Sequence, residues 1–283
     1  MKKEDNRRFD QIKKQTNAGV FGKDAQSLLK DFQKIDQGSV EVFFKTINYY
    51  FSKDINPLFK PYAISLIKII LSLFLKNNNS NPGLSEYFTL TFNQDIEGLP
   101  NSCIKDKYAN MLEAGHAFKQ SLNANKLVLW ELSKNYFLSY NEFMNHLIGI
   151  ILINLQYSIK NKYKLNTLNN AYGNKISELN KLTPKPEYYN TLLELLNSDI
   201  RNAIAHQSIW FNEESNNVIY KTNKEKEEKI NITDFIMLNA KASYLAEAYL
   251  VALSTIGVFY FGSMMDRTKF PKELFLIIME INK

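Results

Sequence analysis

A chain of 283 residues with 45% apolar side chains is long enough to bury one large core or two ordinary ones, which excludes a disordered or fibrous protein. Its ten glycines and seven prolines are too few for a many-turned sheet protein, so most of the chain is expected to be helical. The single cysteine, Cys103, excludes an internal disulfide and a thiolate metal site, while a formal charge of +6 attracts polyanions without proving that one binds.

In chain order, the start "MKKEDNRRFDQIKKQ" is charged throughout and lacks the apolar centre of a secretory signal. With one cysteine, this leads to the expectation of a cytoplasmic protein. Residues 1 to about 36 are helix-prone, with Gly19 and Gly22 as a break. After "SVEVFFKTINYYF", Pro57 and Pro61 suit the first turn of a long apolar helix, which the run at 76–81 followed by Pro82 and Gly83 should stop. The apolar runs from Tyr62 and from Ser243 carry Lys68 and Glu247, and they read as buried core helices with no membrane involved. Residues 93–103 read as a loop, dividing an N-terminal helical region (1–104, no role assigned) from a helical domain (105–283).

That second domain is expected to hold helices near 105–133, 135–160 and 165–180. A further helix, capped by Thr183, should run into "SDIRNAIAHQSIWF", residues 198–211. There the periodicity changes: aromatic and β-branched residues flank "EESNN", which predicts a β-hairpin near 208–221. "TNKEKEEK" reads as its solvated exit, and Asn231 as the cap of the next helix. The fold class is therefore all-α: a multi-helix bundle with one small inserted hairpin and an N-terminal helical region.

Read as one helix, the segment before the hairpin has a core stripe of Leu193, Leu196, Ile200 and Ala203 or Ile204. A second stripe, Leu192, Leu195, Asp199, Asn202 and His206, begins apolar and turns polar. Arg201 stands one residue round, about 7.5 Å along the axis from His206. Both residues also suit a helix C-terminus, where cations meet the last carbonyls.

"RNAIAH" resembles the arginine, four residues, histidine signature of HEPN domains, with the polar residue that often follows the arginine present as Asn202. The resemblance spans roughly 115–265 and implies an all-α bundle with the motif near a helix end. It also implies a metal-independent ribonuclease of the toxin, abortive-infection or CRISPR-associated kind, with RNA as partner. Such proteins commonly form a homodimer in which two copies of the motif line one composite cleft, and Leu192 and Leu195 are candidates for that interface. An antitoxin or a phage-derived trigger is a further implied partner. One branch, paired with nucleotidyltransferase antitoxins, has a tyrosine two residues after the histidine; this chain has Ser208 there, so that modification is not implied.

The chemistry suits the residues. His206 can act as acid or base near neutral pH, and Arg201 offers a fork of donors to phosphate oxygens as charge builds, so neither metal nor cofactor is called for. Asn202 is read as orienting these groups. Around them, Asp199 shares the stripe, Trp210 and Phe211 either stack on a base or pack on the bundle, and Glu142 with His146, at i, i+4 on another helix, is either a supporting pair or a solvated or satisfied helix face. His116 carries no argument of its own. No glycine-rich phosphate loop, HExxH, GxSxG or aspartate cluster for two metals occurs. The alternative function is a helical RNA- or protein-binding module that grips phosphate without cutting.

Overall fold

The computed structural model describes residues 13–19, 26, 40–80, 104–160, 162, 164–182, 187–222 and 224–282. The expected loop and boundary at 93–103, Cys103, Gly22 and the Thr183 cap lie outside the described residues. The described chain is mostly helical, with one small antiparallel sheet.

Helices α1 (Val40–Phe51) and α2 (Lys60–Ser80) precede α3 (Ile104–Gln120) and α4 (Lys126–Lys160); α5 (Tyr172–Leu182), α6 (Glu187–Leu193) and α7 (Ser198–Ala205) follow. Strands β1 (Ile209–Asn212), β2 (Asn217–Lys221) and β3 (Glu227–Asn231) then lead into α8 (Ile232–Ala242), α9 (Leu245–Phe261), α10 (Met264–Arg267) and α11 (Lys272–Ile281). Pro61 lies in the first turn of α2, as expected of a residue without a backbone N–H to satisfy.

The centre is α4. Every residue from Leu147 to Tyr157 is buried, so this stretch is enclosed on all sides, and α4 as a whole packs on α2, α3, α5, α7 and α8. At about 1.5 Å per residue its 35 residues run some 50 Å. The apolar stretches from Tyr62 and Ser243 are core: Ala63, Leu66, Ile67, Ile69, Ile70 and Leu71 in α2 and Val251, Ala252 and Val258 in α9 are fully buried. The helical stretch from Ile232 to Phe261 is long and apolar enough to cross a membrane, but it bends at Ser243 and Tyr244 and most of its apolar window lies inside the fold. Helix α2 packs on α4, α6, α9 and α11, so residues 40–80 share one apolar core with the rest of the described chain.

Two boundaries differ from the sequence reading, each through an asparagine side chain that starts a helix. The break expected near 134 occurs at 121–125, where the Asn125 carboxamide accepts the Val128 N–H at 2.9 Å and starts α4. The single helix expected up to His206 is two. Asn197 adopts extended backbone, and its side chain accepts the Ile200 N–H at 2.9 Å to cap α7. The Leu195 carbonyl left over in the connection accepts a hydrogen bond from the buried Tyr140 hydroxyl of α4 at 3.1 Å.

The expected hairpin is present but is part of a three-stranded sheet, order β1-β2-β3, in which Val218 pairs with both Phe211 and Ile230. The expected solvated exit is shorter than its sequence suggests, because Glu227–Asn231 is a strand. Asn231 ends it and caps α8 through the Thr233 N–H at 2.9 Å, as expected.

Candidate functional site

Helix α7 is the element that carries the motif, and it is held on two sides. Ile200 and Ala203 are buried toward α4 and the sheet, and Asn197 fixes its first turn. At the other end His206 is the C-cap: its N–H bonds the Asn202 carbonyl at 2.9 Å. Gln207 turns into the left-handed region at φ 57°, its N–H reaching the Ile204 carbonyl at 3.2 Å and the Ser208 N–H reaching Ala203 at 2.8 Å. That pair of bonds is a Schellman ending, which turns the chain sharply into β1 and leaves the His206 side chain exposed.

Arg201 faces inward. Its Nε donates to Glu142 Oε1 of α4 at 2.6 Å, its Nη2 donates to the same oxygen, and its Nη1 donates to the Asn202 side-chain oxygen at 2.8 Å. These bonds commit three of the five guanidinium N–H groups and leave one on each terminal nitrogen. Glu142 Oε2 lies 3.7 Å from Lys107 Nζ of α3, so one carboxylate serves two cations. Glu142, read from the sequence as either a partner for His146 or part of a satisfied helix face, is the anchor of the motif arginine. Asn202, read as a partner for the histidine or a ligand, orients the arginine.

A third cation stands behind them. Lys175 of α5 is 3% exposed, and its Nζ donates to the Asn145 backbone and side-chain oxygens, both at 3.0 Å. Burial pulls its pKa down to about 8; Glu142 acts against that shift and Arg201 adds to it, which places all three groups in one electrostatic neighbourhood. Beside it the buried Tyr172 hydroxyl donates to the Asn141 oxygen at 2.7 Å. Asn141, Glu142 and Asn145 on α4 thus bind two side chains from α5, Tyr172 and Lys175, and one from α7, Arg201. Lys107, Lys175 and Asn145 were missed by sequence reasoning.

The other candidates separate. Asp199 sits in the first turn of α7, where a carboxylate suits the helix dipole, and its charge acts on Tyr220 of β2 after burial and Glu228. His146 is half-buried on α4, one turn beyond Glu142. His116, on α3, has its pKa lowered by burial and then by Lys119. Phe211 turns in against Trp130, ring centroids 6.2 Å apart, whereas Trp210 turns out. Leu192 and Leu195 are fully buried, so the idea that they line an interface is overturned: with α6 and α7 as separate helices, both leucines point into the core. Among the described residues no group of three or more His, Cys, Asp or Glu is placed to hold a metal ion.

Compared with known protein families, curated proteins and solved structures, the chain matches none.

Proposed function

We propose that the protein is a metal-independent endoribonuclease of the toxin or abortive-infection kind, acting in the cytoplasm, with Arg201 and His206 as its catalytic pair. The neighbouring 2′-hydroxyl attacks phosphorus, the bond to the 5′-oxygen breaks, and the products are a 2′,3′-cyclic phosphate and a 5′-hydroxyl. His206 moves one of the two protons, and the remaining Arg201 donors meet the phosphate oxygens as negative charge grows.

The observation that supports this reading most is the division of labour along α7: a tethered arginine beside two further cations, Lys107 and Lys175, and an exposed histidine at the helix end. One histidine supplies one proton transfer per turnover, and arginine is too basic to supply the other. A homodimer in which two motifs share one cleft completes the acid–base pair, two-fold pairing being the commonest assembly of soluble proteins. An antitoxin or a phage-derived trigger belongs to the same reading.

A second reading, a module that grips phosphate without cutting, is favoured by one feature: Glu142 already occupies the side of the guanidinium that a phosphate would use. The two are separated by incubating the protein with total RNA in EDTA. Cleavage that Arg201→Ala and His206→Ala each abolish, in protein with an unchanged circular dichroism spectrum, supports the nuclease. RNA that is bound and left intact supports the module.

A further inference from the structure

The sheet that follows His206 has two unlike faces. Successive strand residues point to opposite sides. Val218 and Tyr220 are buried toward the bundle with Phe211, which puts Trp210, Asn217, Ile219, Lys221 and Lys229 on the outer side. Trp210 stands opposite Ile219, and Ile219 stands opposite Lys229. The indole is 41% exposed although it rests on a half-buried isoleucine, while Trp130 is 4% exposed in the core.

We propose that this outer face is a platform for single-stranded RNA, on which one unpaired base stacks against Trp210 while Lys221 and Lys229 hold the backbone phosphates beside it. The inference rests on the nuclease reading and names how its substrate is held. Position and charge both favour this occupant. The Lys221 N–H bonds the Ser208 carbonyl at 3.0 Å, so Lys221 lies next to the Schellman turn and Trp210 lies diagonally beyond it. A strand leaving a phosphate at His206 meets the lysine first and the indole second. The outer face carries two lysines against one carboxylate, Glu227, which stands opposite Lys221; Glu228 is turned away and held by Lys226 at 2.7 Å. Glu213 and Glu214 lie in the β1–β2 turn, at the end away from His206. An exposed aromatic on the edge strand, with both lysines on the strands to one side of it, stacks with any base, so the face selects for an unpaired strand over a duplex or a sequence.

The test uses the full chain and a 12-nucleotide 2′-O-methyl RNA, which lacks the attacking hydroxyl, as a single strand and as a duplex. In a Trp130→Phe background, where Trp210 is the one indole, the single strand should quench emission more than the duplex. Trp210→Ala should weaken single-strand binding roughly 5- to 100-fold, Trp210→Phe should restore most of it, and Lys221→Gln or Lys229→Gln should each lower the salt slope by about 0.7. Wild-type affinity in Trp210→Ala, equal binding of the duplex, or no binding by the wild type overturns the platform. Quenching that follows protein concentration without RNA assigns the face to a second copy and also overturns it. Cleavage of unmodified RNA is scored in parallel: intact cleavage with an inert Trp210 refutes the platform alone, and quenched binding without cleavage refutes the nuclease alone.

Discussion

The Arg201–Glu142 pair offers the sharpest single measurement. Two unit charges about 3 Å apart at an effective dielectric near 20 attract by roughly 5 kcal/mol before desolvation. Their side chains are 22% and 25% exposed, so each gave up much of its hydration to form the pair, and Lys107 at 3.7 Å shares the carboxylate. A net coupling of about 1–2 kcal/mol is expected, above a surface ion pair and below a dry one. Urea denaturation of wild type, Glu142→Gln, Arg201→Gln and the double variant measures it as a cycle. Glu142→Gln carries a second consequence: with the internal carboxylate gone, Arg201 and Lys107 meet RNA unneutralised, and affinity should rise about 3- to 10-fold with a steeper salt dependence. A coupling within about 0.3 kcal/mol of zero, or unchanged affinity in a folded Glu142→Gln protein, would refute the view that this carboxylate holds the arginine.

Gln207 pays for its φ of 57° with a side chain, so Gln207→Gly should stabilise the fold by about 1 kcal/mol while Gln207→Ala does not, as read by urea midpoints. Lys175 gives up its proton more readily when folded; its pKa of about 8 against 10.5 means the unfolded chain binds the extra proton between those values, so stability gains with rising pH there. The difference between wild type and Lys175→Met, followed by denaturation from pH 7 to 11, should grow in favour of wild type across that window and then level. Asn202→Ala should slow cleavage less than Arg201→Ala, because it orients the guanidinium and does not itself meet the phosphate; equal losses in single-turnover assays would contradict that role. Mixing Arg201→Ala with His206→Ala protein should restore part of the cleavage if two motifs share a cleft, and inactivity of a mixture shown to form heterodimers would contradict it.

The helical class and the position of the sheet were legible in the sequence because apolar spacing of three and four, then alternation around "EESNN", are strong signals. What escaped has a common cause. Asn125 and Asn197 each restart a helix by capping, and neither interrupts the apolar count that suggested one long helix. Strand β3 escaped because lysine and glutamate favour strands poorly and Ile230 is its one apolar residue. At the site, Arg201, Asn202 and His206 were visible through their spacing. The anchor for Arg201 lies 59 residues away on another helix, and a partner at that separation is set by packing, which spacing cannot report. The stripe drawn from Leu192 to His206 failed for the same reason that the helix did: its two halves belong to different rods.

One stretch of α4 ties these features together. Tyr140, Asn141, Glu142 and Asn145 hold, in turn, the α6–α7 connection, Tyr172, Arg201 and Lys175. The six residues from 140 to 145 therefore act as a jig, setting the mutual placement of three shorter helices from a single rigid axis. A one-residue insertion just before Tyr140 would swing all four handholds about 100° round the helix at once, whereas the flanking turns could be lengthened or recharged with the jig untouched. Variation in this fold should accordingly be tolerated in the connections and sheet turns, where new surface can be offered to different partners, and be forbidden along that one and a half turns.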